Sequence, residues 1–172
     1  WVLFHLYAFY STRLLTMVGD LASRASVHKK RTFSIQGLLN SVKASSGFRK
    51  VGALTLFIGV VRGETQNGEV VKGLELEAYE EKANEVLGDI CRQLKKRKGI
   101  IDVQIHHLTG KFDVGEDVVY VLVAGSHRRD VFPVLEEAVE RYKKEAPLFK
   151  KEYATGRKGR AKSHWVSEHE AE

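Results

Sequence analysis

The chain has 172 residues, 43% of them hydrophobic, enough for one sizeable core with a modest extension and too few for several domains. Lys and Arg number 28 against 22 Asp and Glu, a formal net charge of +6 that favours phosphates, nucleic acid or acidic protein surfaces without choosing among them. The single cysteine, Cys91, excludes an internal disulfide framework and a thiolate-rich metal site built by one chain, and a reducing cytoplasm is the expected compartment.

In chain order, "WVLFHLYAFYSTRLLTMV" opens apolar and aromatic, but His5, Ser11, Thr12 and Arg13 interrupt it before membrane-spanning length. No basic region precedes it and no small-residue cleavage site follows, so a secretory signal is not expected. The chain opens on Trp1, with Met17 as the alternative start. Residues 1–31 therefore read as an extension or the remnant of an upstream segment, closing in the charged linker "ASRASVHKKRT" at 22–32. The main domain is expected over 32–172.

Ser34 predicts the N-cap of a short helix with Leu38, Leu39 and Val42 on one face. "VGALTLFIGVVRG" is too continuously apolar to be solvated on both faces, which predicts a central strand. "VVKGLELEAY" alternates Leu74, Leu76 and Ala78 against Glu75 and Glu77, the period of a half-buried strand. The two are expected to pair as a hairpin around the loop "GETQNGE". Residues 80–98 predict an amphipathic helix whose apolar stripe, Ala83, Val86, Leu87, Ile90, Cys91 and Leu94, gives Cys91 a packing role.

Two further strands, "IDVQIHHL" and "DVVYVLVAG", are joined by "TGKFDVGE". His106 and His107 are adjacent, so on a strand they face opposite sides; structural roles are expected and no metal site. A second amphipathic helix over 130–145 directs Val131, Leu135, Ala138, Val139 and Tyr142 inward, with Asp130 as its cap, Pro133 in its first turn and Pro147 after its end. The tail gives two short β pieces around a basic loop. The order αββαββαββ predicts an α+β fold, a mixed or antiparallel sheet packed with two main amphipathic helices, rather than a wound parallel sheet.

Basic residues bracket that second helix. In "SHRRD" a strand ends and a helix begins, so free amides, the positive end of the dipole, His127 and Arg128 can converge on an anion; equally, the arginines can solvate a loop. No glycine-rich phosphate loop of the nucleotide-binding types occurs. Beyond the helix, Lys143 and Lys144 close its last turn and Lys150 and Lys151 open the next strand, where only one of the latter can share a pocket with Lys143. Lysines at a helix end also pair with the dipole and need no ligand.

"FIGVVRGET", "LELEAYEEKA", "TGKFDVGEDVVYVLVAGSHRRDVFPVLEEAVERYKKEAPLFKKE" and "HWVSE" resemble, in order and spacing, the large catalytic subunit of molybdopterin synthase, from about Phe33 to Glu168. The resemblance implies transfer of sulfur to cyclic pyranopterin monophosphate, the substrate, with no tightly bound cofactor. The sulfur arrives as a thiocarboxylate on the C-terminal glycine of a small ubiquitin-like partner subunit. It implies a homodimer within a heterotetramer, working in molybdenum cofactor biosynthesis. By position it implies Arg62, His127 and Arg128 for phosphate and pterin binding, and Lys143 and Lys150 as catalytic groups, with the basic lining at both helix ends serving one site. This chain has His164 before Trp165 where the family usually has arginine. The competing reading is a basic nucleic-acid-binding or non-catalytic interaction module.

Overall fold

The computed structural model describes residues 24–65, 67–155 and 161–167. The apolar run at the start of the chain and most of the basic loop in the tail lie outside them. The described chain forms seven strands and three α-helices, an α+β fold. The order predicted from sequence holds from Ile35 onward.

The stretch read as a linker contains a strand, β1 (Ala25–Lys29). It pairs in parallel with the longest strand of the fold, β4 (Ile100–Phe112), in the register Ala25 to Ile105 through Lys29 to Thr109. Ala25 and Val27 pack on the core while His28 faces the other way, so the alternation of a strand underlies the charge that obscured it. Helix α1 (Ile35–Ala44) starts where expected, with Ser34 Oγ accepting from the Gly37 amide at 3.2 Å and Leu38 and Val42 buried. A 3-10 turn over Ser46–Lys50 follows.

Strand β2 (Ala53–Val60) is not central. It lies at one edge of the sheet, whose order is β2, β5, β4, β3, β6, β7. Nor does it form a hairpin with β3 (Val70–Ala78): β2 pairs antiparallel with β5 (Asp117–Gly125), and β3 pairs with β4 and β6 (Leu148–Thr155). Among the described residues, the two stretches are joined beyond the end of β2, by the isolated bridge from Glu64 to Val70 and by the Val71 amide donating to the Gly63 carbonyl at 3.0 Å. The β4–β5 connection is shorter than predicted because β4 continues through Phe112. Residues 100–107 pair with β5 and residues 110–112 with β3, and at the handover Gly110 takes φ +125°, which side-chain-bearing residues rarely adopt. Strand β7 (Ala161–Ser167) closes the far edge against β6.

Two apolar layers flank β5. Val119, Val121 and Val123 meet helices α2 (Glu80–Leu94) and α3 (Arg128–Glu145), where Leu87, Ile90, Val131 and Ala138 are fully enclosed. Tyr120, Leu122 and Ala124 face α1 and the β3 side chains Leu74 and Leu76. Each fully buried large aliphatic side chain stabilises the fold by about 2–3 kcal/mol. Cys91 is one of the α2 residues in this layer, and burial pushes its thiol up to about 12, so it stays protonated and unreactive. Cys91→Ser should retain full activity wherever the variant folds; loss of activity in a folded variant, by circular dichroism, would return the thiol to the chemistry.

The adjacent histidines face opposite sides, as expected, and both are 1% exposed. His107 holds the Leu108 carbonyl at 3.0 Å and lies beside Tyr142 of α3. His106 belongs to a polar chain. Gln104 donates to Asp102 at 2.8 Å, so its carbonyl oxygen accepts from His106 Nε2 at 3.2 Å. His106 Nδ1 is then the acceptor for His28 Nε2 at 3.0 Å. Burial first, and the neighbouring His28 second, hold His106 down at about 3, and burial holds His107 at about 4.

Both rings are therefore neutral in the folded chain. Their contribution is complete above the ordinary histidine value of 6.5 and is lost as pH falls from there toward 4 and 3. By pH 5 the expected loss is roughly 1–2 kcal/mol per ring. Thermal melts between pH 7.5 and 4.5 check it: the midpoint should fall steadily below about pH 6.5, and a flat profile would contradict the burial of these rings.

Candidate active site

A recess of about 610 Å³ opens where β5 meets α3, lined by Gly52, Ala53 and Ser126 to Asp130. The Ser126 amide donates to the Gly99 carbonyl at 2.7 Å and the Gly52 amide to the Gly125 carbonyl at 3.0 Å, so three chain segments fix the turn. His127, not Asp130, is the N-cap residue, with φ −142° and ψ 152° and no side-chain capping bond. Asp130 lies inside the first turn, its amide closing on the His127 carbonyl at 3.0 Å. The amides of Arg128 and Arg129 precede the first helical hydrogen bonds and remain available to an anion, at the positive end of an 18-residue helix. Pro133 is the sixth helical residue rather than part of the first turn, and it removes the donor that the Arg129 carbonyl would otherwise receive.

The lysines sort by face. Lys150 shares the inward side of β6 with the buried Leu148 and pairs with Glu152 at 3.0 Å, their side chains 15% and 18% exposed. Lys151 points the other way, its ammonium 5.5 Å from the ring of Tyr153 and 5.4 Å from that of Trp165. On α3, Lys144 is exposed and pairs with Glu140 at 3.2 Å, a surface pair one turn apart, whereas Lys143 is half-buried. Glu152 escaped the sequence reading, although its spacing two residues beyond Lys150 on a strand places both on one face.

One chain does not bring the five residues together. Tyr142 lies 6.0 Å from His107, which pairs with Val119, so the C-terminal end of α3 lies toward the start of β5 and the end of β2. Lys143 and Arg62 are at that end, while Arg128 is about 22 Å away along the helix. Arg62 lies two residues beyond Val60, the last of β2, and His127 adjoins the first, roughly 25 Å apart along the strand. The expectation that both helix ends line one pocket is therefore not met within a single chain. Among the described residues, the side chains of Arg62, His127, Arg128 and Lys143 form no hydrogen bond or ion pair.

A second recess of about 260 Å³ between β1 and α2, lined by Arg24, Asn84, Arg92 and Lys95 among others, contains none of the five. Among the described residues no three His, Cys, Asp or Glu side chains converge in a way that could hold a metal ion, and no helix is long and apolar enough to cross a membrane.

The pattern of residues 28–145 matches the family model described as MoaE protein. The chain belongs to the MoaE family. It is 33% identical over 139 residues to the "Probable molybdopterin synthase" of Haloferax volcanii, covering 80% of this chain and 53% of that protein. It is 38% identical over 104 residues to the "Molybdopterin synthase catalytic subunit" of Bacillus subtilis, covering 60% and 66%. The chain thus spans about half the length of the first relative and about two thirds of the second. The crystal structure of molybdopterin synthase from Staphylococcus aureus superposes with a TM-score of 0.69 at 26% identity, covering 82% of this chain and 95% of that one. The MoaE match includes the strand-to-helix turn at His127 and Arg128 and also Lys143, while Lys150 lies beyond it.

Proposed function

We propose that this chain is the catalytic subunit of a molybdopterin synthase, transferring sulfur from the C-terminal thiocarboxylate of a small ubiquitin-like partner to cyclic pyranopterin monophosphate. The observation that carries this reading is a set of basic side chains without protein partners, Arg62, His127, Arg128 and Lys143, in a MoaE-family fold. Cations held without carboxylate partners are prepared for anions supplied from outside, and this reaction supplies two, a phosphate and a thiocarboxylate.

The amides at the start of α3 with His127 and Arg128 suit the phosphate. Lys150 suits the thiocarboxylate carbonyl, where its charge offsets the negative charge that grows on oxygen as the acyl link is cleaved. Lys143 assists as an electrostatic or proton-transfer group. In each of two rounds, the thiocarboxylate sulfur forms a bond to a pterin side-chain carbon as a carbon–oxygen bond at that carbon breaks, the oxygen leaving as water or as a phosphate oxygen that takes up a proton. Water then cleaves the acyl–sulfur bond, leaving sulfur on the pterin and releasing the carrier as a carboxylate. No sulfur passes through Cys91. A homodimer carrying one small subunit at each end fits the separation of the basic groups, since Arg62, Lys143 and Lys150 of one copy and His127 and Arg128 of the other can then share a site.

The test is reconstitution from this chain, a small carrier with a C-terminal thiocarboxylate and cyclic pyranopterin monophosphate, read by the fluorescence of the oxidised dithiolene product. Product that needs all three components is the expected result. Absence of product with a carrier shown to bind would refute the assignment.

A further inference from the structure

The recess between β1 and α2 is lined by hydrogen-bond donors. Arg24, Arg92 and Lys95 bring three cationic side chains to it, together with the Asn84 amide and without any carboxylate. Its apolar part comes from Ala25, Cys91 and Val103. It shares no lining residue with the recess at His127.

Existing hydrogen bonds decide which atoms remain open. The Val27 amide donates to Asn84 Oδ1 at 2.7 Å, and since a backbone amide can only donate, the nitrogen Nδ2 must be the other atom of that side chain. Among the described residues Nδ2 has no partner, so both of its N–H groups are open to the recess that Asn84 lines. Lys95 donates to Asp102 Oδ1 at 3.1 Å, which uses one of its three ammonium hydrogens. Asp102 is already saturated. It is 3% exposed, its first oxygen also has Arg24 Nε at 3.7 Å, and its second accepts from Gln104 at 2.8 Å.

Helix α2 presents Asn84, Gly88 and Arg92 on one face at steps of one turn. Arg92 pairs through Nη2 with Asp89, and its guanidinium lies over Gly88, where a Cβ would stand 3.1 Å from Nη1. The guanidinium therefore reaches back to the turn after Asn84, about 6 Å away along the axis. A glycine inside a helix weakens it relative to alanine, and at residue 88 it leaves the room in which guanidinium and amide face one opening. The volume, about 260 Å³, falls below the roughly 300–1,000 Å³ of pockets for drug-sized ligands, so the occupant is small.

We propose that this recess binds the phosphate group of a small molecule through Asn84 Nδ2, Arg92 and Lys95. The lining side chains offer open N–H groups and no open oxygen, so a ligand rich in acceptor oxygens fits and a cation does not. A phosphate group brings three strong acceptor oxygens, one for each of these side chains, where a carboxylate brings two. Asp89 and Asp102 offset two of the three positive charges, and the third is left for the ligand. The site does not rest on the sulfur-transfer reading.

Calorimetry with inorganic phosphate tests it on the full chain carrying Arg128→Ala, which weakens the recess at His127 and leaves the second site to be read. Phosphate should bind this chain, and adding Asn84→Asp should weaken that binding by about tenfold or more. Aspartate keeps an oxygen for the Val27 amide, so the fold is retained while a donor becomes a repelling carboxylate. Arg92→Ala, at an exposed side chain, should also weaken binding and decides the matter alone if Asn84→Asp fails to fold. Phenyl phosphate separates two sources of the group. Binding several-fold tighter than inorganic phosphate assigns the recess to a monoester whose apolar body covers Ala25 and Val103, and equal binding assigns it to free phosphate. No phosphate binding to Arg128→Ala, or binding that a folded Asn84→Asp leaves unchanged, would overturn the proposal.

Discussion

Lys150→Ala should lower turnover by about 10²–10³-fold while leaving the oligomeric state and melting temperature near those of the parent. Its place on β6 makes the expectation specific. The side chain is turned inward, opposite Leu76 in register, and Glu152 fixes its ammonium at 3.0 Å. A lysine fixed in this way has its charge oriented before substrate arrives, and such orientation separates a catalytic cation from a merely solvated one. Removing it leaves Glu152 partly buried without its partner, an effect of about 1 kcal/mol that temperature scans will register separately from catalysis. Lys151→Ala is the matched control. Lys151 rests on the opposite face against Tyr153 and Trp165, so its loss should leave sulfur transfer intact. Full activity in Lys150→Ala would remove Lys150 from the mechanism.

Gly52→Ala is expected to damage the site without touching any charged group. A Cβ at residue 52 would stand 2.3 Å from the Ser126 carbonyl oxygen and 3.3 Å from its carbon. Both are backbone atoms of the turn that presents His127. Because no flexible side chain can move aside, the start of β2 and the start of α3 must separate, a strain of about 1–3 kcal/mol. The Gly52 amide also donates to the Gly125 carbonyl at 3.0 Å, and that bond lengthens with the same displacement. The predicted signature is a lower melting temperature together with weaker binding of inorganic phosphate by calorimetry. Gly115→Ala tests backbone strain alone, since residue 115 has φ +87° and nothing within 4 Å of a Cβ, so it should cost stability without altering phosphate binding. Undiminished stability and phosphate binding in Gly52→Ala would show that the turn is more compliant than its packing indicates.

The parts of the fold legible in the sequence were those fixed by local periodicity. The stripe from Ala83 to Leu94, the alternation of Leu74 and Leu76 with glutamates, and the Ser34 cap each name an element, because burial of one face or one hydrogen bond decides it. Partner choice between strands is decided by distant residues, so the apolarity of β2 suggested an interior position while chain proximity suggested a hairpin with β3, and both were wrong for one chain. Lys150 and Lys151 could be assigned to opposite faces from adjacency alone, but only packing told which turned inward. The separation of Arg62 from His127 was hidden for a related reason: spacing along the sequence does not reveal which end of a strand a loop occupies.

Strand β4 hydrogen-bonds to β5 over most of its length, accommodates β1 beside residues 105–109, and passes to β3 at residues 110–112. One unbroken backbone is thus common to the helix-covered half of the sheet and to the half carrying Lys150. The two halves cannot swing like jaws without tearing that ladder, so the sheet holds them as one body. Amides of β4 and β5 should be the last to exchange with deuterium.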